Sequence, residues 1–142
     1  MESSNHVTIT VETTVNAPVE QAWEYWTEPR HITKWSFASE DWHAPSAEND
    51  VRVGGTFVTR MEAKDGSFGF DFGGVYDEIK VNELIAYTLG DGRKVTINFI
   101  SQDNNTKIIE TFDAEGTHSV EQQQAGWQAF LDNFKKYCEI SK

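Results

Sequence analysis

Leu84-Ile85-Ala86-Tyr87-Thr88-Leu89, Val95-Thr96-Ile97-Asn98-Phe99-Ile100 and Lys107-Ile108-Ile109-Glu110-Thr111-Phe112 follow one another with Gly90-Asp91-Gly92 and Asp103-Asn104-Asn105 in the gaps. Runs rich in β-branched and aromatic residues, bounded by Gly, Asp and Asn at hairpin spacing, predict an antiparallel meander. Behind it, Val120 to Ile140 sets Gln123, Trp127, Phe130, Leu131, Phe134 and Cys138 on one broad stripe at helical spacing. A helix of that length covers a sheet, so the fold class is α+β.

Working outward, Gly54-Gly55 opens a strand with Phe57, Thr59 and Met61 on one face, and Lys64-Asp65-Gly66 reads as its hairpin turn. Phe68, Phe70 and Phe72 line one face of the returning strand. Gly73-Gly74 predicts a bulge before Val75 to Ile79. At the start of the chain, Val7, Ile9, Val11 and Val15 show the period-two pattern of a half-buried strand. Asn16-Ala17-Pro18 then opens a helix, with Asn16 as a cap near its start and Val19, Ala22, Trp23 and Trp26 on one face. Glu28-Pro29 forces a break, and a second short helix runs from Arg30 to Trp35. Between Ser36 and Asp50 the pattern is irregular, a loop with a short edge strand from about Asp41 to Ala47. With no internal repeat or linker, the 142 residues read as one domain, 1–142, long enough to bury a real core.

The net charge is −11, with acids spread over the whole length and no basic run longer than two residues. Nucleic acid and anionic membrane surfaces are therefore set aside as partners, because both demand clustered Lys and Arg. The lone Cys138 excludes an internal disulfide framework and a zinc site built on several thiolates. No stretch reaches the roughly 20 apolar residues of a membrane helix, and the expected setting is soluble and cytoplasmic. Five Trp, four Tyr and nine Phe are the sharpest compositional feature. They make either an aromatic core or the walls of a pocket.

No catalytic signature is visible. His6, His31, His43 and His118 lie far apart, without metal-ligand spacing on one element. The glycines sit at hairpins and in the pairs 54/55 and 73/74, where they form no phosphate loop, dinucleotide fingerprint or nucleophile elbow. Cys138 falls on the apolar stripe, as a buried inert thiol would. The sequence therefore calls for no cofactor, no metal and no catalytic residue.

Several blocks, in order, resemble a known family. Pro18-Val19-Glu20-Gln21-Ala22-Trp23, Trp26-Thr27-Glu28-Pro29 and Lys34-Trp35 match its first helix and break. Gly54-Gly55-Thr56-Phe57, Met61, Asp65-Gly66 and Gly74-Val75-Tyr76-Asp77-Glu78-Ile79 match its hairpin, and Asn82 to Thr88 and Gly126-Trp127 complete the correspondence. The chain is similar to the activator of heat-shock protein 90 ATPase homologue-like domain of the START-related SRPBCC superfamily. Trp42-His43-Ala44-Pro45-Ser46 resembles a bacterial subgroup. The resemblance implies a helix-grip fold, an antiparallel sheet wrapped around the C-terminal helix with a cavity between them. It further implies lipid, hormone or polyketide carriage in some members, cyclase or hydrolase activity in a few, and chaperone binding in the eukaryotic relatives.

Within that fold Trp35, Trp42 and His43 fall at the expected mouth of the cavity, as a lid over an aromatic ligand or as staples of the loop. Phe57, Met61, Phe70, Phe99, Phe112 and Trp127 are pocket wall if the cavity exists and core otherwise. Strand alternation puts Glu110 on the inward side with Ile108 and Phe112. There it is a polar anchor, unless a bulge turns it to solvent or a partner such as Arg60 satisfies it. Gln123, one turn before Trp127, is the second polar candidate. The leading expectation is a protein that binds a small hydrophobic or aromatic molecule. The alternatives are a protein-interaction, co-chaperone-like module, with a chaperone contact or a homodimer, and a weak cyclase or hydrolase using the same cavity.

Overall fold

Alternating burial along the strands decides which side of the sheet faces the long helix. In the computed structural model, which describes residues 7–37 and 39–140, β1 (Thr8–Val15) is followed by α1 (Val19–Thr27) and α2 (Pro29–Trp35). Then come β2 (Trp42–Asn49), β3 (Thr56–Ala63), β4 (Gly69–Lys80), β5 (Leu84–Leu89), β6 (Lys94–Gln102), β7 (Asn105–Asp113) and α3 (Val120–Ile140). His6 lies outside the described residues. The seven strands form one sheet in the order β1-β7-β6-β5-β4-β3-β2, antiparallel at every step. The chain meanders from β2 to β7, and β1 closes the far edge on β7. This is the α+β helix-grip arrangement, a curled half-barrel with α3 across its concave face.

Inward positions recur at period two: Ile9 and Val11 on β1, Ile85, Tyr87 and Leu89 on β5, Val95, Ile97 and Phe99 on β6, and Ile108 and Phe112 on β7 are all buried. Against them α3 buries Leu131, Phe134 and Cys138, each without measurable exposure. Burial also pushes the Cys138 thiol up to about 12, so it stays protonated. Trp26, Trp35 and Phe134 meet as a three-ring cluster at centroid separations of 4.8 to 4.9 Å, joining α1, α2 and α3. Asn133 Nδ2 donates to the Phe37 carbonyl at 2.7 Å, tying the chain after α2 to α3.

Four local expectations change. The N-cap of α1 is Pro18, with no side-chain cap; the Asn16 amide donates instead to Glu139 Oε2 at 3.0 Å, because α3 ends beside it. β2 extends to Asn49, and α2 begins at Pro29, whose fixed φ suits a first helical turn. The Gly73-Gly74 pair is not a bulge. Both residues pair in regular register with Val58 and Phe57 of β3, and the irregularity on this strand falls between Tyr76 and Glu78 in its pairing with β5. The glycines serve close approach: a Cβ on Gly73 would strike the Phe57 carbonyl oxygen, and one on Gly74 the Thr88 carbonyl oxygen.

Gly74→Ala is therefore expected to destabilise the fold by about 1–3 kcal/mol in urea melts, because backbone must move to admit the methyl. Gly90→Ala is the control, with nothing within 4 Å of the added Cβ. It should remain within about 0.5 kcal/mol of wild type. Equal losses at the two positions would exclude the close-approach explanation.

Candidate functional site

A cavity of about 410 Å³ opens between α3 and the concave face of the sheet. Period-two alternation on three consecutive strands builds its wall: Phe57 and Met61 from β3, Phe72 and Tyr76 from β4, Ile85 and Tyr87 from β5. Trp127 closes it from α3, and Trp26 and Trp35 bound the end toward α1 and α2. The cavity reaches the surface through exposed Glu48, Phe70, His118 and Gln122. Phe57 sits at the centre of the aromatic wall, 4.7 Å from the Tyr87 ring and 5.1 Å from that of Tyr76.

Glu110 is the chemical exception in this lining. β7 runs without a bulge between β1 and β6, opposite Val11 on one side and Ile97 on the other, so the carboxylate must point inward. It is 4% exposed. Arg60 does not reach it; that guanidinium holds Glu62 at 2.9 Å and Asp71 at 3.4 Å. Among the described residues Glu110 accepts no hydrogen bond and makes no ion pair, and burial alone pushes its carboxyl up to about 8. Burial first, and then the Glu110 carboxyl, hold the Tyr87 phenol well above its usual range.

Two polar constructions flank the cavity. At one end the Tyr76 hydroxyl donates to Asn49 Oδ1 at 2.5 Å, and Asn49 Nδ2 donates to the Thr27 carbonyl at 2.6 Å, linking β4, β2 and α1. At the other, the turn into α3 folds around Gln123. Its Oε1 accepts from the Glu115 amide at 2.8 Å, while Nε2 donates to the Glu115 and His118 carbonyls at 3.1 and 2.8 Å. Glu115 in turn holds the Thr117 and His118 amides and the His118 ring, at 2.7 Å from Nδ1. The His118 bonds keep its carboxyl down at about 2.

Of the residues singled out from sequence, Trp35, Phe57, Met61, Phe70, Glu110, Gln123 and Trp127 line the cavity. Gln123 is buried there, yet both ends of its amide are engaged by backbone. Four others fall outside the lining. Phe99 faces inward, but α1 covers it, so it packs against Trp23 at 5.2 Å and Trp26 at 5.8 Å. Phe112 lies behind the wall, fully stacked on Trp127 at 3.9 Å and 10°. Trp42 packs on Phe68 and Phe70 at the β3–β4 hairpin, and His43 sits 3.8 Å from Glu62, because β2 is the sheet edge.

Tyr76 and Tyr87 went unnoticed, although the alternation of Ile85, Tyr87 and Leu89 carried the signal for the second. Asn49, Glu115 and His118 are loop and edge residues that no periodicity marks. His31 is structural: its ring stacks on Tyr25 at 4.2 Å and its Nδ1 lies 2.6 Å from the Tyr137 hydroxyl. Among the described residues no group of three His, Cys, Asp or Glu side chains is placed to hold a metal ion, and no helix is long and apolar enough to cross a membrane.

Residues 16–139 match the family model described as Activator of Hsp90 ATPase homolog 1-like protein. Among solved structures, the AHSA1-like protein from Aeromonas hydrophila is 42% identical with a TM-score of 0.90, over 95% of this chain and 94% of that one. A protein from Cytophaga hutchinsonii is 57% identical with a TM-score of 0.81, over 94% and 93%. A Chromobacterium violaceum protein at 24% identity, with a TM-score of 0.83 over 93% and 96%, shares the fold. No curated protein matches. Helix, cavity, family model and close structural relatives agree over nearly the whole chain, which belongs to the Activator of Hsp90 ATPase homolog 1-like family.

Proposed function

We propose that the protein binds a small apolar or aromatic molecule in the cavity between sheet and helix. The observation that carries this reading is an aromatic-walled space of about 410 Å³ with one unpartnered carboxyl inside. Small-molecule sites have this character: about 300–1,000 Å³, mostly apolar, with few placed polar groups. Glu110 is the polar anchor. Gln123 contributes by fixing the turn that frames the opening, since its own amide is committed. Native mass spectrometry of protein from its host, with thermal shifts against hydrophobic compounds, tests the reading through stabilisation by mass action. A chain that carries nothing and is stabilised by no compound would sink it.

A second reading, contact with a protein partner, is favoured by one observation: Phe68 and Phe70, at 63% and 40% exposure, cluster with Trp42 beside the opening. Stimulation of a purified heat-shock protein 90 ATPase that is lost in Phe68→Ser would favour it.

Two outcomes separate a pocket wall from plain core. Trp127 is half-buried, with one face stacked on Phe112 and the other side toward the cavity. Trp127→Ala should cost stability near the low end of the about 3–5 kcal/mol of a buried Trp, while ligand affinity falls by more. Urea melts and titrations would compare the two losses.

The second outcome concerns pH. With a folded value near 8 against an ordinary 4.5, Glu110 binds its proton more tightly in the native state than in the unfolded chain. Its contribution is neutral when both states are protonated. It turns unfavourable as pH rises from about 4.5 to 8, at up to about 1.4 kcal/mol per pH unit, and is constant above. Relative to wild type, Glu110→Gln should therefore gain stability across that window and hold the gain at higher pH. Parallel stability curves for the two proteins would place the carboxyl in water.

A further inference from the structure

We propose that the cavity selects a cationic ligand, an amine or quaternary ammonium on an aromatic or long apolar body, with Glu110 as its counter-charge. This rests on the small-molecule reading above and names the class of molecule. A carboxyl this deeply buried, without hydrogen bond or ion pair among the described residues, lacks the partner that buried acids require. The cavity is the space from which such a partner can come.

The surroundings favour positive charge. The other acids in the lining are Glu48 at the rim and Glu115 in the turn before α3. The basic groups there already face acids: Arg93 Nε lies 2.8 Å from Asp91 Oδ2, and His118 Nδ1 lies 2.7 Å from Glu115 Oε2. An anionic ligand would therefore meet the field of a chain of net charge −11 and two basic side chains already engaged by acids. A cation would meet Glu110 and the rings of Phe57, Phe72, Tyr76, Tyr87 and Trp127, whose π faces stabilise ammonium groups.

A neutral ligand with a carbonyl group is the competing occupant, since a protonated Glu110 can donate to it. The two differ in the sign of their proton linkage. A cation binds the ionised carboxylate, so its affinity rises with pH up to the region near 8; a carbonyl acceptor binds the acid form and weakens over the same range. The titratable and charged groups that share the lining with Glu110 are the Tyr76 and Tyr87 phenols, both held above their usual range, and Arg93, Glu115, His118 and the rim Glu48; of these Tyr87 feels the Glu110 carboxyl. On β1 and β6 its neighbours are the apolar Val11 and Ile97.

The test is isothermal titration of the full chain with three matched sets of probes: benzyl, naphthylmethyl and biphenylmethyl amines, their trimethylammonium forms, and the corresponding alcohols. Wild type and Glu110→Gln are compared from about pH 6 to pH 9. At the upper end the charged probes should bind wild type at least about tenfold more tightly than the alcohols, the factor one charge-assisted contact supplies. Glu110→Gln should abolish that advantage, so that ammonium probes and alcohols of the same body bind the variant within about twofold of each other. In wild type the trimethylammonium probes, whose charge is fixed, should tighten by up to about tenfold per pH unit until Glu110 is ionised. That series carries the answer even if the variant folds poorly. Alcohols binding as tightly as ammonium probes, or affinity falling with pH, would overturn the cation and leave the apolar ligand standing. If nothing binds at any pH, both readings fall.

Discussion

A straight helix laid across a curled sheet cannot pack on it equally tightly along its whole length, and the rest of this structure follows from where that packing is densest. The C-terminal half of α3 is the dense part: Leu131, Phe134 and Cys138 are sealed against the sheet and the Trp26–Trp35 cluster, whereas the N-terminal half holds the sheet through the Trp127–Phe112 stack and through Gln124 and Gln128, which donate to β1 carbonyls. Toward the N-terminus the same stripe loosens. Trp127 and Phe130 are half-buried and the cavity lies beneath them, while Gln123 is buried only because the turn before α3 folds around its amide. Rigid aromatic walls keep the gap from collapsing, since large rings cannot repack into it without leaving their rotamers.

That gap also explains how Glu110 is tolerated. A carboxylate pressed into the packed half of the interface would have no room for a proton donor or a ligand, and its desolvation would go unrelieved. In the cavity it can stay neutral near neutral pH, and the cost is taken as a raised proton affinity. The turn before α3 is built to a different standard, with the Gln123 amide, the Glu115 carboxyl and the His118 ring all hydrogen-bonded. Elsewhere, then, the polar groups around the opening serve structure. Glu110 stands apart because its alternation on β7 gives it no other direction to point.

What the sequence made legible divides along the same line. Period-two and helical patterns located β1, the β3 to β7 meander, α1 and α3, because burial on one face imposes those periods wherever the packing is regular; α2 was marked by the proline break, and the edge strand β2 lay in a stretch without a regular pattern. Glu110 could be placed inside by alternation alone, since β7 has no bulge to shift it. The failures come where a neighbouring element decides. Phe99 and Phe112 have the right facing, yet α1 and Trp127 cover them before any ligand could. Gly73 and Gly74 carry the composition of a bulge, but two carbonyl oxygens of adjacent strands demand their missing side chains, and that is a tertiary fact. Which aromatics become wall instead of core depends on where the helix lifts, and no local pattern records that.

Gly126 brings these threads together. Glycine inside a helix costs about 1 kcal/mol relative to alanine, and nothing lies within 4 Å of where its Cβ would be. Packing therefore does not require it. It lies on the cavity side of α3, one residue before Trp127, and the absent methyl leaves space in the lining. A sequence selected for stability alone would fill such a position with alanine, gaining helix propensity at no steric cost. The glycine, the unpartnered acid and the half-covered tryptophan each forgo stability at the same place, which is the pattern expected where a protein keeps room for something other than itself.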